Sequence, residues 1–236
     1  EENREPIAKS LVTLLKVQGM PPMLLFWCVG CILFQIVMAS SVYYCMYYLM
    51  NPALIATYML VISISGMVGV MVVMPILLRK VRGSMKKAVL YTQVICVVCY
   101  AILFFVVGKS IPALYVLTFI SSMFATMTNA FRPMTVVGMT EYVLLEEDKQ
   151  MNGVISAVGG FSYKCGTALS NAILAGVLAI TGYIPNAIGQ EPAAVLTGIN
   201  SVRFLVPLAA TVLYILFIQF YPEKRLNELR AEKLSK

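Results

Sequence analysis

Six long apolar stretches divide this 236-residue chain. A helix needs about 20 apolar residues to cross the ~30 Å hydrocarbon core of a bilayer, and each stretch reaches that length. The stretches are Met23–Met50, Ala53–Leu78, Ala88–Gly108, Pro112–Thr140, Gly153–Ile184 and Val202–Tyr221. Only 12% of the residues are charged, which is about half the share found in soluble domains. The sequence therefore predicts an all-α membrane protein built as a bundle of six transmembrane helices.

The polar segments beside these stretches divide the chain into three parts. We expect residues 1–22 to form a cytoplasmic lead-in with an amphipathic helix at the membrane surface, with a solvated linker as the alternative. We expect residues 23–221 to form the six-helix bundle and residues 222–236 to form a charged cytoplasmic tail. The sequence starts with Glu1 and has no signal peptide, so we do not expect residue 1 to be the natural start.

The basic residues that give the chain its net charge of +7 are distributed unevenly. They concentrate in the two terminal segments, in residues 79–87 and at Lys149, whereas the opposite side of the predicted bundle carries only Lys109 and Arg203. Lysine and arginine in short loops accumulate on the cytoplasmic side of a membrane. The distribution predicts a multi-pass protein of the cell (cytoplasmic) membrane with both termini in the cytoplasm, rather than a nucleic-acid-binding protein.

Two cations, Arg132 and Lys164, lie inside the predicted spans with no acidic residue at comparable depth. A charge at the bilayer centre costs at least about 2.5–3.5 kcal/mol, and such residues usually face a bundle interior or a water-filled cavity. Lys164 lies about 16 Å beyond Gly153 at helical rise, near the middle of its span. These residues predict a polar pathway through the bundle and hence a permease.

Polar residues of the fourth and fifth spans recur every three or four positions, so each set lies on one helix face. The sets are Thr128, Asn129 and Arg132 in the fourth span, and Lys164, Thr167 and Asn171 in the fifth. We interpret them as the lining of a cavity that hydrogen-bonds a solute. Close packing between membrane helices is the alternative. Packing is the interpretation we favour for Ser121, Ser122, Thr135 and Ala168.

The first span adds Gln35 and a tyrosine cluster, Tyr43–Tyr48, near its outer end. Tyrosines at that depth usually form an aromatic belt at the membrane interface, and we expect most of the cluster to do so. Tyr43 or Tyr47 could instead stack on a sugar or bond to it.

The residues do not indicate catalysis. The sequence has no histidine and no carboxylate in the middle of a span, so the usual acid–base groups are missing. The cysteine pairs Cys28/Cys31 and Cys96/Cys99 lie within apolar helices, where thiolate ligands for zinc would be costly. We therefore predict no enzyme activity, no metal and no cofactor.

Several segments resemble the glycoside–pentoside–hexuronide:cation symporters, and together they cover most of the chain. These segments are Tyr43–Tyr47 with Asn51–Leu54, Thr181–Ala187 with Leu196–Ile199, Tyr221–Leu226, and the spacing from Glu141 through Gly153 to Lys164. The resemblance implies the C-terminal six-helix half of a major-facilitator fold with 3+3 inverted repeats. It implies sugar–cation symport by alternating access, with Lys164 near the substrate. It also implies that the coupling cation binds mainly to an N-terminal half outside this chain.

The chain departs from that family at two acidic positions, which carry Gly138 and Leu144 here. Family positions that are basic carry Glu146, Glu147 and Asp148 instead. Because the resemblance places these groups in a cytoplasmic gate, we expect gating or substrate class to differ.

These observations predict secondary transport of a sugar or glycoside across the lipid bilayer, with Na+ or H+ as the coupling cation. The predicted substrate-binding residues are Lys164, Asn129, Thr128, Arg132, Thr167, Asn171, Tyr43 and Gln35. A truncated or scaffolding protein of the same fold that moves no solute is the alternative.

Overall fold

The computed structural model describes residues 13–106, 110–185 and 189–234. Within those ranges the chain is helical apart from short connections, and six helical segments are long and apolar enough to cross a membrane. The prediction of an all-α protein with six spans is therefore confirmed. Residues 1–12 of the predicted lead-in lie outside the described residues.

From Met20 onward we number nine α-helices in the described ranges. Their bounds are α1 Met20–Tyr43, α2 Leu54–Val68, α3 Met74–Lys80, α4 Met85–Val106, α5 Ile111–Ala125, α6 Met127–Glu147, α7 Asn152–Thr181, α8 Ala193–Ile218 and α9 Glu223–Leu234. A π-helical turn, Tyr44–Tyr48, extends α1, and another, Gly69–Val73, joins α2 to α3. The second span is therefore α2 with α3, and the fourth is α5 with α6.

The π-helical turn Gly69–Val73 ends two residues before Pro75. Proline has no backbone N–H to donate to the preceding turn of the helix. Gly69, at the start of this turn, lies against the backbone carbonyl of Met123 in α5. A side chain at position 69 would collide with that carbonyl. Because glycine has no side chain, the backbones of the second and fourth spans come into contact here, as those of membrane helices do at small residues.

Helix α1 is the centre of the bundle, with its most extensive contacts to α7 and α8. Its buried side chains include Phe26 and Trp27, and the Phe26 ring stacks on Tyr214 of α8 with ring centroids 3.9 Å apart. The indole N–H of Trp27 donates a hydrogen bond of 2.9 Å to the hydroxyl of Thr135 in α6. Thr135 therefore serves helix packing, in agreement with the interpretation we favoured for it.

The sixth span begins at Ala193 rather than at Val202, so the predicted long outer loop is wrong in its second half. Residues 193–201 are helical because the inner face of α8 is packed: Val195 and Ile199 are buried, and Gly198 fits against Thr181 of α7. The placement of Arg203 in an outer loop is wrong for the same reason. Arg203 lies within α8 and is completely buried.

One end of the bundle carries the 81–84 turn, the 148–151 connection and α9, and we call it the basic end. Helix α9 is tied to α6 there by two ion pairs. Arg230 Nε donates to Glu141 at 2.8 Å, and Arg225 lies 3.1 Å from Glu146. Two acidic residues in the last two turns of α6 are thus used in docking the C-terminal helix.

The departure from the family at Gly138 has a steric counterpart at the same end. Gly138 is buried directly against the hydroxyl of Tyr221, which leads into α9. Any side chain at position 138 would occupy the place of that hydroxyl. The tyrosine therefore fills the space that an acidic side chain would need.

Candidate functional site

The predicted polar residues of the fourth span line a crevice between α1, α6, α7 and α8. Its lining residues are Phe26, Trp27, Gly30, Cys31, Thr128, Asn129, Arg132, Tyr163 and Tyr214. The crevice is too narrow to admit a water molecule. Its polar groups therefore lie at a closed contact between helices rather than in an open chamber.

Arg132 is half-buried in this crevice, and its guanidinium carbon lies 4.9 Å from the ring centroid of Tyr163 in α7. The face of an aromatic ring attracts a cation within about 6 Å, and the attraction is stronger where water is excluded. The Tyr163 ring therefore stabilises the Arg132 guanidinium within this half of the bundle, so part of the role of Arg132 is structural.

Thr167 of α7 adjoins the same crevice through Cys31 of α1. The Cys31 sulfur and the Thr167 hydroxyl are 3.3 Å apart, and this hydroxyl also donates to the Tyr163 carbonyl at 3.2 Å. The contact depends on Gly166, since a Cβ there would lie 2.5 Å from the carbonyl oxygen of Cys28. A glycine thus allows α1 and α7 to meet where the predicted site residues lie.

Thr128 and Asn129 are the remaining predicted residues of the fourth span. The Thr128 hydroxyl is buried and donates to the Ala125 carbonyl at 2.8 Å, so only its acceptor lone pairs are available to a solute. Asn129 is half-buried and lies next to Arg132 on the crevice wall. Both residues are where the helix periodicity predicted them.

Lys164 and Asn171 lie elsewhere, on an exposed stripe of α7. The stripe consists of Phe161, Lys164, Ala168, Asn171 and Ala175, and each of these residues is exposed. In the described part of the chain, the Lys164 ammonium has no hydrogen-bond or ion-pair partner. None of the described helices covers this face, so Lys164 and Asn171 do not line the crevice that contains Arg132. Ala168, expected to pack between helices, is exposed as well.

Gln35 and Tyr43 extend the site along α1 toward the end opposite the basic end. Both are half-buried. The Tyr43 ring packs against Tyr47 and edge-on against Tyr183, with centroids 6.3 and 5.8 Å away, and the Tyr47 and Tyr183 hydroxyls share a hydrogen bond of 2.7 Å. Partial burial raises the pKa of Tyr183 above its usual range, and the bond with Tyr47 adds to this.

The aromatic-belt interpretation is wrong for Tyr44 and Tyr47. Both are buried inside the bundle, and Tyr44 packs edge-on against Phe204 of α8. Tyr183 was not predicted as part of the cluster, because it follows α7 in a connection whose position against α1 depends on tertiary packing.

Sequence reasoning also missed the most deeply buried cation. One terminal N–H group of Arg203 donates to the Tyr58 hydroxyl at 2.9 Å, and the guanidinium carbon lies 5.5 and 5.0 Å from the rings of Tyr58 and Phe204. Its Nε and other terminal nitrogen are buried without a partner among the described residues. A guanidinium keeps its charge in proteins, so the aromatic faces and the tyrosine hydroxyl are its stabilising surroundings.

Two features of the sequence could have revealed this position. Apolar residues continue upstream of Arg203 through Ile199 to Val195, with helical spacing. Pro192 is a typical first boundary for such a helix. Treating Gly198 as a loop residue hid the pattern, although glycine is common in membrane helices.

Replacing Tyr58 by phenylalanine tests the Arg203 contact. The change keeps the ring under the guanidinium and removes the oxygen that accepts from Arg203 and bonds Thr118 at 3.0 Å. We expect the free energy of unfolding in detergent to fall by about 1.5–3 kcal/mol, as for a lost hydrogen bond to a charged group.

The matched control is Tyr115→Phe. Tyr115 packs edge-on against Tyr58 but uses its hydroxyl in an exposed bond with Thr57. We expect this control to change stability by less than about 0.5 kcal/mol. Equal stability of the two variants would show that the buried hydrogen bond is unimportant.

Comparison with known proteins gives two kinds of match. A family model described as MFS/sugar transport protein matches residues 3–225. The glucuronide carrier protein homolog of Escherichia coli (strain K12) is 29% identical over 211 residues, which are 87% of this chain and 45% of that protein. The uncharacterized symporter YnaJ of Bacillus subtilis (strain 168) is 28% identical over 195 residues, 81% of this chain and 41% of that protein.

The chain thus spans less than half the length of the curated relatives it matches. The resemblance noted in the sequence is confirmed at the level of the family. With six membrane-spanning helices and a family match over nearly its whole length, the chain belongs to the MFS/sugar transport protein family and is a multi-pass membrane protein with the six-helix half of a major-facilitator fold.

Proposed function

We propose that this chain forms one half of a secondary transporter that moves a sugar or glycoside by cation symport and alternating access. The single observation that carries the proposal is the exposed stripe of α7 with Lys164 and Asn171 in the middle of a span. A lone ammonium at that depth is costly beside lipid. A second six-helix unit packed on this stripe would turn it into the wall of a cavity at the interface of two repeats, where such carriers bind their substrates.

The charges favour an anionic sugar. The predicted site contains two cations, Lys164 and Arg132, and no carboxylate among its described residues. One relative is named a glucuronide carrier homolog. We propose hexuronides as the first substrate class to test, with Lys164 bonding the carboxylate or ring hydroxyls and Asn129 and Asn171 donating further hydrogen bonds. The Thr167 hydroxyl, which donates to the Tyr163 carbonyl, would accept a hydrogen bond from the sugar. Arg132, held by Tyr163, then adds positive charge at the inner wall.

The coupling cation needs oxygen ligands, and the described site residues offer no carboxylate for it. We assign its binding mainly to the part of the full-length protein outside this chain. The orientation follows from the lysines and arginines of the basic end, which we place in the cytoplasm together with both termini of this chain, in the cell membrane.

Uptake by the full-length protein in proteoliposomes tests the proposal. We expect a labelled phenyl glucuronide to accumulate above its external concentration under an inward H+ or Na+ gradient, and an ionophore that collapses the gradient to abolish this. Unlabelled glucuronide should compete better than the neutral phenyl glucoside. Absence of accumulation of either sugar under any gradient would support the non-transporting alternative instead.

A further inference from the structure

Two open cavities at the basic end share a wall and are lined with cations. The first, of ≈ 540 Å³, is lined by Leu77, Lys80, Val81, Arg82, Lys87 and Tyr91. The second, of ≈ 670 Å³, is lined by Arg82, Gly83, Ser84, Lys86, Lys87, Glu223, Lys224, Asn227 and Arg230. Because Arg82 and Lys87 line both, the two form one continuous groove from the turn after α3 to α9. We call it the basic groove.

The only carboxylate of the groove's lining is already engaged. Both oxygens of Glu223 accept hydrogen bonds at the start of α4, from the Ser84 hydroxyl at 3.0 Å and from the Met85 backbone N–H at 2.6 Å. Its charge therefore serves the N-terminus of α4 rather than the lysines and arginines of the groove.

Several cations of the groove have no partner of their own. Arg230 is paired with Glu141, and the Lys86 ammonium donates to the Gln219 carbonyl at 2.7 Å. Within the described ranges, Lys80, Arg82, Lys87 and Lys224 have no ion-pair or hydrogen-bonded side-chain partner. Like charges that line one groove repel one another, so an anion in the groove would relieve the repulsion.

The groove opens onto an apolar track along α4. Tyr91, in the wall of the first cavity, is 55% exposed, and Val94 and Val98 on the same helix face are 47% and 52% exposed. Further along this face, Ile102 and Phe105 are exposed too. The track differs from the exposed stripe of α7, since the Tyr91 hydroxyl is its only polar side-chain group among these residues and it carries no charge. It has the character of a surface that contacts acyl chains.

From the unpaired cations and the adjoining apolar track, we propose that the basic groove binds one anionic phospholipid. Its phosphate lies between Arg82 and Lys87, and its acyl chains lie along Tyr91, Val94 and Val98. Basic pockets between membrane helices at the cytoplasmic side are typical sites for anionic headgroups. The bound lipid would hold the 81–84 turn, which follows α3, against α9. This proposal does not depend on which solute the protein carries.

Delipidated full-length protein in detergent provides the test, with thermal unfolding and native mass spectrometry as the two measurements. We expect dioleoyl phosphatidylglycerol to raise the unfolding temperature saturably and one molecule to remain bound, whereas dioleoyl phosphatidylcholine does neither. The double variant Arg82→Gln/Lys87→Gln should bind phosphatidylglycerol roughly 25-fold more weakly, since each cation near an anionic headgroup contributes about fivefold.

The control variant, Lys149→Gln/Lys233→Gln, removes the same charge from exposed positions outside the groove. It should bind phosphatidylglycerol like the unaltered protein. If both double variants bind phosphatidylglycerol equally weakly, the proposed site is overturned, because the lipid would then be attracted only by the net charge of the protein. Stabilisation by inorganic phosphate as strong as that by phosphatidylglycerol would overturn the lipid assignment in favour of a small-anion site. If the Arg82→Gln/Lys87→Gln variant unfolds at a lower temperature even in phosphatidylcholine, the number of phosphatidylglycerol molecules retained in native mass spectrometry still tests the site.

Discussion

Replacing Lys164 by leucine in the full-length protein is expected to reduce sugar uptake by about ten- to a hundredfold while leaving the amount of protein in the membrane unchanged. Lys164 is exposed on α7 and makes no hydrogen bond or ion pair to the described residues, so its loss removes no packing from this half. A hydrogen bond from a charged group to a bound solute is worth about 1.5–3 kcal/mol, and each 1.4 kcal/mol is a tenfold change in affinity. The measurement is the initial rate of glycoside uptake at a fixed cation gradient.

Two further variants make the Lys164 result specific. Lys149→Leu removes the same charge from an exposed connection at the basic end and should transport normally. Lys164→Gln keeps a hydrogen-bond donor and should retain more uptake of a neutral glycoside than of a hexuronide if the ammonium binds the carboxylate. Normal uptake by Lys164→Leu would remove this residue from the site.

Gly166→Ala is expected to lower the free energy of unfolding by about 1–3 kcal/mol, the usual cost of overfilling a packed interior. The added Cβ would lie 2.5 Å from the Cys28 carbonyl oxygen and 2.7 Å from the Cys31 Cβ. A backbone carbonyl cannot move aside without displacing α1 from α7. Because Thr167 and Lys164 flank Gly166, we also expect uptake to fall. Thermal unfolding in detergent and uptake of the same preparations give the two values.

Gly176→Ala is the matched control for Gly166→Ala. It lies on the same helix, and a Cβ there would meet nothing within 4 Å. Removing a glycine from a helix at an open position stabilises by about 0.4–1 kcal/mol, so the control should be at least as stable as the unaltered protein. If the two variants have equal stability, the close approach of α1 and α7 is not a requirement of the fold.

The sequence was sufficient to predict the six spans because apolar length alone decides them. It was insufficient at Arg203, where polar and small residues near Gly198 resembled a loop. The helix continues there because the face bearing Val195 and Ile199 is buried against neighbouring helices, which is a tertiary effect. The same limit applies to Tyr44 and Tyr47, since an aromatic belt and a buried aromatic cluster have the same composition.

The sequence predicted which residues of the candidate site share a helix face, but not which residues of other helices contact them. Periodicity placed Asn129 and Arg132 together on α6, and Lys164 and Asn171 together on α7. The stacking of Arg132 on Tyr163 requires the relative rotation of two helices, which no local pattern supplies. The surroundings of Lys164 depend on which face of α7 the remainder of the full-length protein covers. The residues of this chain alone do not indicate that face.

Water accessibility at position 164 tests the central claim, that this face of α7 lines a solute cavity and does not contact lipid. The experiment uses a transport-competent full-length protein whose native cysteines are replaced, with Lys164→Cys or, as a lipid-facing control, Val98→Cys on α4. We predict that a membrane-impermeant thiol reagent modifies the cysteine at 164 and not the one at 98. A cysteine at 164 as unreactive as that at 98 would contradict the account.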